Sequence, residues 1–326
     1  MEIGEAVAVP LSGPPEKAPE KKITVRFDSE KGRCGDEVTL RATTENIDGG
    51  KVKFELKQEG SAVHSPEVDL AASAATVVWQ SKAGTDKRPE PPFELSGAAA
   101  GVSGQAEKTF TLEKYVDVAQ ETKTIPCSSG VYGWTGKFDV ALTSGEVIIK
   151  TKVKLLNRKG PKPASSSDPL PDIDTPVTDT DKAAMKTDIE GKLSNKHFLH
   201  RQNCKRGNPC DCVRERGCCK IRVRVEVDFV EAGEHHTVNL YQGAGRANAT
   251  NWTRVKTRDN SYAHETGHLL GWYDEYASGA VGTAPRWKVQ APVVMATGLT
   301  VPAEYYWDFR DWLKEKAGED WAVIAT

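Results

Sequence analysis

The sequence predicts an α+β protein, with an all-β N-terminal domain followed by a larger domain of mixed strands and helices. Between residues 23 and 112, apolar and polar residues alternate over about seven short segments that Gly, Pro and Asp separate. This alternation is typical of half-buried strands in an antiparallel β-sandwich. Residues 180–193 and 302–317 have helical spacing instead, and further alternating stretches lie between them. A chain of 326 residues has room for both domains.

Bulk composition argues against several classes of partner. The 44 Lys and Arg residues nearly balance the 46 Asp and Glu residues, so the net charge of −2 indicates neither a nucleic acid nor a charged membrane surface. No run of about twenty apolar residues is present, and we therefore predict no membrane-spanning segment. Residues 1–10 lack a basic stretch followed by a long apolar one, so they do not predict a cleaved signal peptide: the protein stays inside, leaves by a route that needs no such signal, or the chain is a fragment. Disulfides among the seven cysteines would favour the second alternative, export without a cleaved signal peptide after a cytoplasmic stage.

Changes in composition divide the chain into parts. Residues 1–21 are rich in Pro, Glu and Lys, and we predict a flexible tail there. Residues 22–114 carry the alternating strands and resemble an immunoglobulin-like β-sandwich, although they lack the internal cysteine pair of antibody domains. Residues 115–326 form the second predicted domain, in which residues 157–181 are a linker or loop rich in Pro, Ser and Asp.

The stretch His264–Tyr276 carries the strongest chemical pattern in the chain, HExxHxxGxxD. On a helix, His264 and His268 lie four residues apart and share one face, so their imidazole nitrogens can bind one Zn²⁺. Glu265 lies beside that face, where it can take a proton from a water molecule that the metal activates. Asn260 and Ser261 are good residues to begin this helix, because both are favoured N-caps.

A third zinc ligand is expected after the helix. Gly271 is a good residue to end it, and the chain can then turn back and bring Asp274 to the metal. Glu275 and the remoter Glu304 are the rivals for this position, and the short turn after Gly271 favours Asp274. Three protein ligands would leave the fourth position open, which is the pattern of catalytic zinc sites.

These residues resemble the zinc-binding motif of the metzincin clan of metallopeptidases, in the snapalysin-type variant that has Asp as third ligand. The resemblance covers about residues 260–313. It implies a methionine turn under the metal, for which Met295 is the candidate, and a tyrosine that assists catalysis near the metal, for which Tyr305 and Tyr306 are candidates. It also implies an edge strand that binds the substrate backbone, and Thr237–Tyr241 is the candidate by position.

The function that the resemblance implies is that of a zinc-dependent endopeptidase, which hydrolyses protein or peptide substrates with a metal-activated water. A zinc amidase acting on peptidoglycan peptides would use the same residues. A non-catalytic binding protein with a structural zinc is the other alternative, although such a site has no need of Glu265. The predicted architecture also resembles bacterial type VI secretion effector toxins, which are secreted or reach the periplasm of a target cell. Its partners would then include a secretion-apparatus component or an immunity protein.

Five of the seven cysteines fall within residues 204–219. Their spacing is not the paired CxxC of a zinc knuckle, so we favour disulfides over a structural metal or buried thiols. Cys127 together with these five would allow three bridges, and Cys34 would remain a thiol. His235 and His236 follow a predicted strand over residues 221–229, and we interpret them as exposed loop residues instead of a second metal site.

Overall fold

The computed structural model describes residues 17–82, 90–113, 117–204, 219–283, 287, 289 and 292–325. Over these residues the protein is an α+β mixture in which strands predominate, as the sequence predicts at that level. Two compact units are present. The first comprises Met1–Gly32, Glu37–Gln80 and Pro91–Leu112, and the second comprises Arg33–Asp36, Ser81–Glu90 and Glu113–Thr326. No helix in the described ranges has the length and apolar character needed to cross a membrane.

The first unit contains short antiparallel strands. In chain order these are β1 (Lys22–Phe27), β2 (Lys31–Arg33), β3 (Glu37–Glu45), β4 (Lys51–Gln58), β5 (Ser61–His64), β6 (Glu67–Asp69), β7 (Ala74–Gln80), β8 (Phe93–Ala99), β9 (Val102–Gln105) and β10 (Thr111–Glu113). One sheet has the order β1-β3-β7, a second has the order β5-β4-β8-β9 with β6 beside β4, and β2 pairs with β10.

Alternating burial builds the core of this unit. Along β1, Ile23, Val25 and Phe27 are buried and the residues between them are exposed, as the period of two predicts. Trp79 and Phe93 contribute to the same core, with ring centroids 4.9 Å apart. The alternation in the sequence therefore corresponds to one buried face along β1, β3, β4 and β8.

The second unit is built on one eight-stranded sheet. Its strands are β11 (Val118–Ser129), β12 (Tyr132–Thr143), β13 (Glu146–Asn157), β14 (His197–Arg201), β15 (Lys220–Phe229), β16 (His236–Ala244), β17 (Asn251–Val255) and β18 (Trp321–Ala325). The order is β11-β12-β13-β15-β14-β18, with β16 pairing to β13 and β17 pairing to β16. The helices are α1 (Asp179–Leu193), α2 (Ser261–Leu269) and α3 (Trp307–Ala317), and a short 3-10 helix, Ala303–Tyr306, precedes α3.

Strand β16 lies inside this sheet and not at its edge. Residues His236–Leu240 pair in parallel with β13, and Asn239–Ala244 pair in parallel with β17. The predicted edge strand Thr237–Tyr241 is therefore wrong, because β17 covers the side that would have bound a substrate backbone. Position in the sequence could not show this, since the covering strand comes later in the chain.

The helices agree closely with their predicted ranges. Helix α1 begins after Thr178, whose hydroxyl accepts a hydrogen bond from the Asp181 N–H, and it buries Met185, Ile189 and Leu193. At the C-terminus the predicted helix is divided into the 3-10 turn and α3, and it ends at Gly318, which has a φ of 67°. Strand β18 follows and pairs with β14, an element that the sequence pattern did not predict.

The segment over residues 157–181 is a loop that packs on the second unit and does not link the two units. The Arg158 side chain donates hydrogen bonds to the Asn239 side chain (2.8 Å) and to the Pro171 carbonyl (3.0 Å). The Asn157 amide donates to the Thr175 carbonyl at 2.7 Å. These contacts support the loop alternative of the prediction.

Candidate metal centre

Helix α2 carries the two motif histidines and Glu265, and all three side chains are buried. Asn260 stands at the N-cap position as predicted, but its side chain makes no capping bond. Its amide instead donates to the Val294 carbonyl at 2.9 Å, so that it ties the start of the helix to a distant turn. At the other end Gly271 has a φ of 88°, a conformation that favours glycine, and the chain turns back there.

The turn after Gly271 brings Asp274 to the histidines. Its Oδ1 atom lies 3.1 Å from Nε2 of His264 and 3.3 Å from Nε2 of His268. Tetrahedral ligands with bonds of about 2.0–2.1 Å to zinc stand roughly 3.3 Å from one another. Each histidine nitrogen therefore stands from Oδ1 of Asp274 at the spacing of two ligands that share one zinc ion.

Two backbone carbonyls determine which nitrogen of each histidine carries the proton. Nδ1 of His264 lies 3.0 Å from the Val294 oxygen, and Nδ1 of His268 lies 2.8 Å from the Trp272 oxygen. A carbonyl can only accept, so each Nδ1 donates and each neutral ring keeps a lone pair on Nε2. Two lone pairs and the buried Oδ1 of Asp274 then converge, and no hydrogen-bond partner for that oxygen exists within the described part of the chain. Such a set of acceptors fits a cation.

The second carboxylate oxygen of Asp274 is held by the loop that follows. The Ala280 N–H donates to Oδ2 at 2.7 Å. The loop approaches so closely that a Cβ atom at Gly279 would lie 2.5 Å from the same oxygen. Glycine is therefore required at position 279 if Asp274 is to keep this orientation.

Met295 lies under the metal-binding helix. A Cβ atom on Gly267 would lie 2.4 Å from the Met295 sulfur, so the side chain packs directly against the helix backbone. The turn around Met295 also receives a hydrogen bond from the Glu275 N–H to the Met295 carbonyl, at 2.9 Å. This turn supports both the helix and the segment that carries Asp274.

Glu265 lies beside the two histidines of helix α2. Its side chain is 5 % exposed, and its Oε2 atom has no hydrogen-bond partner among the residues that the structure describes. Burial raises the pKa of Glu265 to about 7, although the neighbouring His264, Lys162 and Arg246 oppose the shift. One ligand atom each from His264, Glu265 and His268 lie within 4.8 Å of one another.

Two adjoining cavities open onto this group. They have volumes of about 350 and 300 Å³, and both are lined by His264, Glu265, Tyr276 and Arg246. The second cavity also reaches His268 and Asp274. The candidate metal centre therefore opens to a space large enough for several side chains.

Tyr276 is the tyrosine that faces these cavities. Its ring stacks near His264, with centroids 6.1 Å apart, and its hydroxyl accepts a hydrogen bond of 3.3 Å from Arg246. Burial and the nearby Asp274 carboxylate raise the pKa of Tyr276. The sequence contained a signal for it, because Tyr276 comes two residues after Asp274, the expected third ligand.

Tyr305 and Tyr306, which were expected beside the metal, belong to the hydrophobic core of the unit. Both are fully buried, and neither lines the two cavities described above. The Tyr306 hydroxyl donates to the Leu193 carbonyl at 2.6 Å. Tyr305 packs 4.6 Å from the Trp272 ring, and burial together with the Glu275 carboxylate raises its pKa. Both tyrosines lie in the short 3-10 helix before α3, and their side chains pack inside the unit.

His235 and His236 are not the exposed pair that the sequence indicated. Nδ1 of His235 accepts from the Lys152 N–H at 3.1 Å, which leaves its Nε2 to donate to Asp139 at 3.2 Å. His236 donates to the Lys137 carbonyl at 2.8 Å. The two rings therefore connect the start of β16 and the residue before it to strands β12 and β13.

The expectation that Cys34 is the cysteine left out of the disulfides is wrong. Cys34 is disulfide-bonded, and its partner lies outside the described residues. Cys127, Cys204 and Cys219 are buried thiols. Cys127 donates to the Gly271 carbonyl at 3.5 Å, so it supports the end of helix α2 instead of a crosslink. The remaining predicted members of the Cys-rich loop, Cys210, Cys212 and Cys218, fall outside the described residues.

Comparison with protein-family models and with curated proteins finds no match for this chain.

Proposed function

We propose that this protein is a zinc-dependent peptidase that hydrolyses peptide bonds in protein or peptide substrates. One observation carries the proposal. The Nε2 lone pairs of His264 and His268 converge with Oδ1 of Asp274 at 3.1 and 3.3 Å, and Glu265 is buried beside them. This donor set of two nitrogens and one oxygen suits Zn²⁺.

The chain's own residues have separate roles in this proposal. When bound, zinc polarises the carbonyl of the scissile peptide bond and acidifies a water molecule. Glu265 takes the proton from the attacking water and passes it to the leaving amine. Its carboxylate is suited to this role because it is buried against the ligands and faces the cavities where the substrate would lie.

Tyr276 is proposed to stabilise the negative charge that develops on the carbonyl oxygen. Its hydroxyl is a hydrogen-bond donor at the wall of both cavities, and Arg246 holds that hydroxyl from the other side. A donor fixed in advance of the reaction stabilises a developing oxyanion more than mobile water does.

A catalytic site fits better than a structural one. Structural zinc sites are closed by four protein ligands, whereas the described residues supply three here and a cavity opens onto them. A buried carboxylate such as Glu265 would also have no use in a structural site.

The fold proposals follow from the same features. The helix that ends at Gly271, the return to Asp274 and the Met295 turn support a metzincin-like second unit. The two antiparallel sheets of the first unit support an immunoglobulin-like sandwich. The disulfide at Cys34 supports activity in an oxidising compartment, as expected for an exported effector.

The decisive experiment replaces Glu265 by Gln in the full chain. The variant should keep its zinc and its thermal unfolding temperature, while kcat falls at least ~10²-fold, the usual minimum effect of losing a general base. Glu304→Gln, a change outside both cavities, is the matched control and should keep full activity. Casein and purified peptidoglycan serve as parallel substrates, because hydrolysis of peptidoglycan alone would favour the amidase alternative. Near-normal turnover by a zinc-loaded Glu265→Gln protein would refute the proposed role of Glu265.

A further inference from the structure

A second group of metal-binding side chains lies in the same unit and shares no residue with the candidate metal centre. His200, Cys204 and Cys219 are all buried, with exposures of 6, 6 and 0 %. One ligand atom from each lies within 4.8 Å of the other two. The group combines one imidazole nitrogen with two sulfurs.

The strands of the sheet bring these residues together. His200 stands in β14 opposite Lys220 of β15, so Cys219 comes immediately before the paired residue. The Arg201 N–H donates to the Cys219 carbonyl at 2.8 Å, and the Cys204 N–H donates to the Arg201 carbonyl at 3.3 Å. All three side chains are thus carried by backbone that hydrogen bonds hold in place.

Close packing surrounds the sulfur of Cys204. A Cβ atom at Gly35 would lie 2.4 Å from this sulfur, and Gly35 has a φ of 88°. The glycine therefore lets the backbone lie directly against the group and shield it from solvent.

Arg201, the residue after His200, is a buried cation that is engaged with carboxylates. The Arg201 guanidinium, on a side chain 5 % exposed, bonds to Asp36 and lies 3.6 Å from Glu319. It also donates to the Cys34 carbonyl at 3.0 Å. A divalent cation bound between two thiolates balances their charge, whereas burying an unbalanced anion is costly.

We propose that His200, Cys204 and Cys219 bind a structural Zn²⁺. A neutral imidazole and two thiolates form a borderline-soft donor set, which binds Zn²⁺ in preference to Mg²⁺ or Ca²⁺. Binding releases the protons of the two thiols, and the divalent cation balances the two sulfur charges. The described residues supply three of the four ligands that zinc takes in structural sites.

The expected role of this ion is to crosslink the end of β14 to the residue that precedes β15. Cys204 and Cys219 are fifteen residues apart in the sequence, and a shared ion holds them beside His200. A crosslink of this kind stabilises the folded protein because it lowers the conformational entropy of the unfolded chain. A metal held by both sulfurs also keeps them from pairing with each other.

The experiment measures zinc in a full-length protein from which the candidate catalytic site has been removed. His264→Ala combined with His268→Ala should retain about one zinc per chain, against about two in the parent protein. Adding Cys219→Ser should remove the remaining zinc, whereas adding Cys127→Ser should not, since Cys127 is a buried thiol outside the group. Circular dichroism checks that each variant is folded.

Two further measurements avoid any substitution in the proposed site. Co²⁺ loaded into the His264→Ala, His268→Ala protein should show the charge-transfer absorption of cobalt bound to sulfur. In the unmutated protein an organomercurial reagent should release one of the two zinc ions. The proposal is overturned if the double variant contains no zinc and no cobalt–sulfur band. It is equally overturned if peptide mapping under non-reducing conditions finds a Cys204–Cys219 disulfide in the purified protein. Because the readout is metal content, the result does not depend on peptidase activity.

Discussion

Nδ1 of His264 lies 3.0 Å from the carbonyl oxygen of Val294, a residue thirty positions later in the chain. This hydrogen bond sets the tautomer of a proposed zinc ligand from a distant turn. The next residue in that turn, Met295, packs against Gly267 in the same helix. The turn therefore orients the ligand and supports the helix that carries it.

Substitution of Gly267 should disturb this support. In Gly267→Ala the new Cβ would lie 2.4 Å from the Met295 sulfur and 2.9 Å from the Trp272 ring. We expect a loss of about 1–3 kcal/mol in the free energy of unfolding, the usual cost of overpacking, together with weaker zinc binding. Urea unfolding and a competition titration with a chelator measure the two effects.

The matched control is Gly191→Ala in helix α1, where an added Cβ meets nothing within 4 Å. This change should stabilise the protein by about 0.5–1 kcal/mol, because alanine loses less freedom in a helix than glycine does. Equal effects of the two alanine substitutions would contradict the proposed packing of Met295.

The third ligand can be tested by comparing neighbouring acidic residues. Asp274→Ala removes the oxygen that converges with both histidines, so zinc affinity should fall by more than the ~10–100-fold that loss of an outer partner costs. Glu275→Gln should retain zinc and lose about 1–3 kcal/mol of stability, because Glu275 is 1 % exposed and lies in the polar core beside Tyr305. Isothermal titration calorimetry with Zn²⁺ decides between them. Loss of zinc from the Glu275 variant alone would move the third ligand to that residue.

Replacing tyrosines by phenylalanine tests which hydroxyl takes part in the reaction. Tyr276→Phe should lower kcat by about 10²–10³-fold with zinc content unchanged, because a donor to the developing oxyanion is lost. Tyr306→Phe should leave kcat unchanged and cost about 1–3 kcal/mol of stability, since it removes the bond to the Leu193 carbonyl. Steady-state kinetics on zinc-loaded protein, with unfolding curves for both variants, measure these effects. If instead Tyr306→Phe lowered kcat and Tyr276→Phe lowered only the stability, Tyr306 would be the tyrosine that acts in the reaction.

The stability of the second unit should depend on pH through His236. Burial is the main cause that lowers the pKa of His236 below its ordinary value of 6.5. The folded protein therefore favours the neutral ring, and the stability this provides is present above the unfolded-state pKa and is lost as pH falls through the lowered value. In His236→Gln the free energy of unfolding should fall less between about pH 7.5 and about pH 5.5 than in the parent protein. The measurement is made on zinc-free protein, so that release of metal does not contribute. Identical pH profiles would show that His236 does not titrate on unfolding.

Elements with a long regular pattern were predicted well from the sequence. Helix α1 begins one residue before its predicted start, and β15 covers the predicted strand over residues 221–229. Strand β18 was missed because five residues next to a helix end carry too little periodicity to be distinguished from a loop. The interior position of β16 was missed because it depends on β17, which local pattern does not connect to it.

For the candidate site, local spacing determines a large part of the geometry. Four residues of helix place His264 and His268 on one face, and a glycine at position 271 allows the return to Asp274. Distances along the chain are short here, so the backbone leaves few alternatives. Tertiary structure alone decides which carbonyls orient the histidines, that Tyr276 and not Tyr305 or Tyr306 faces the cavity, and that His200 meets two cysteines. These relationships join residues that are far apart in the sequence, and they arise when the sheet and the helices pack together. Periodicity within one element carries no information about such packing.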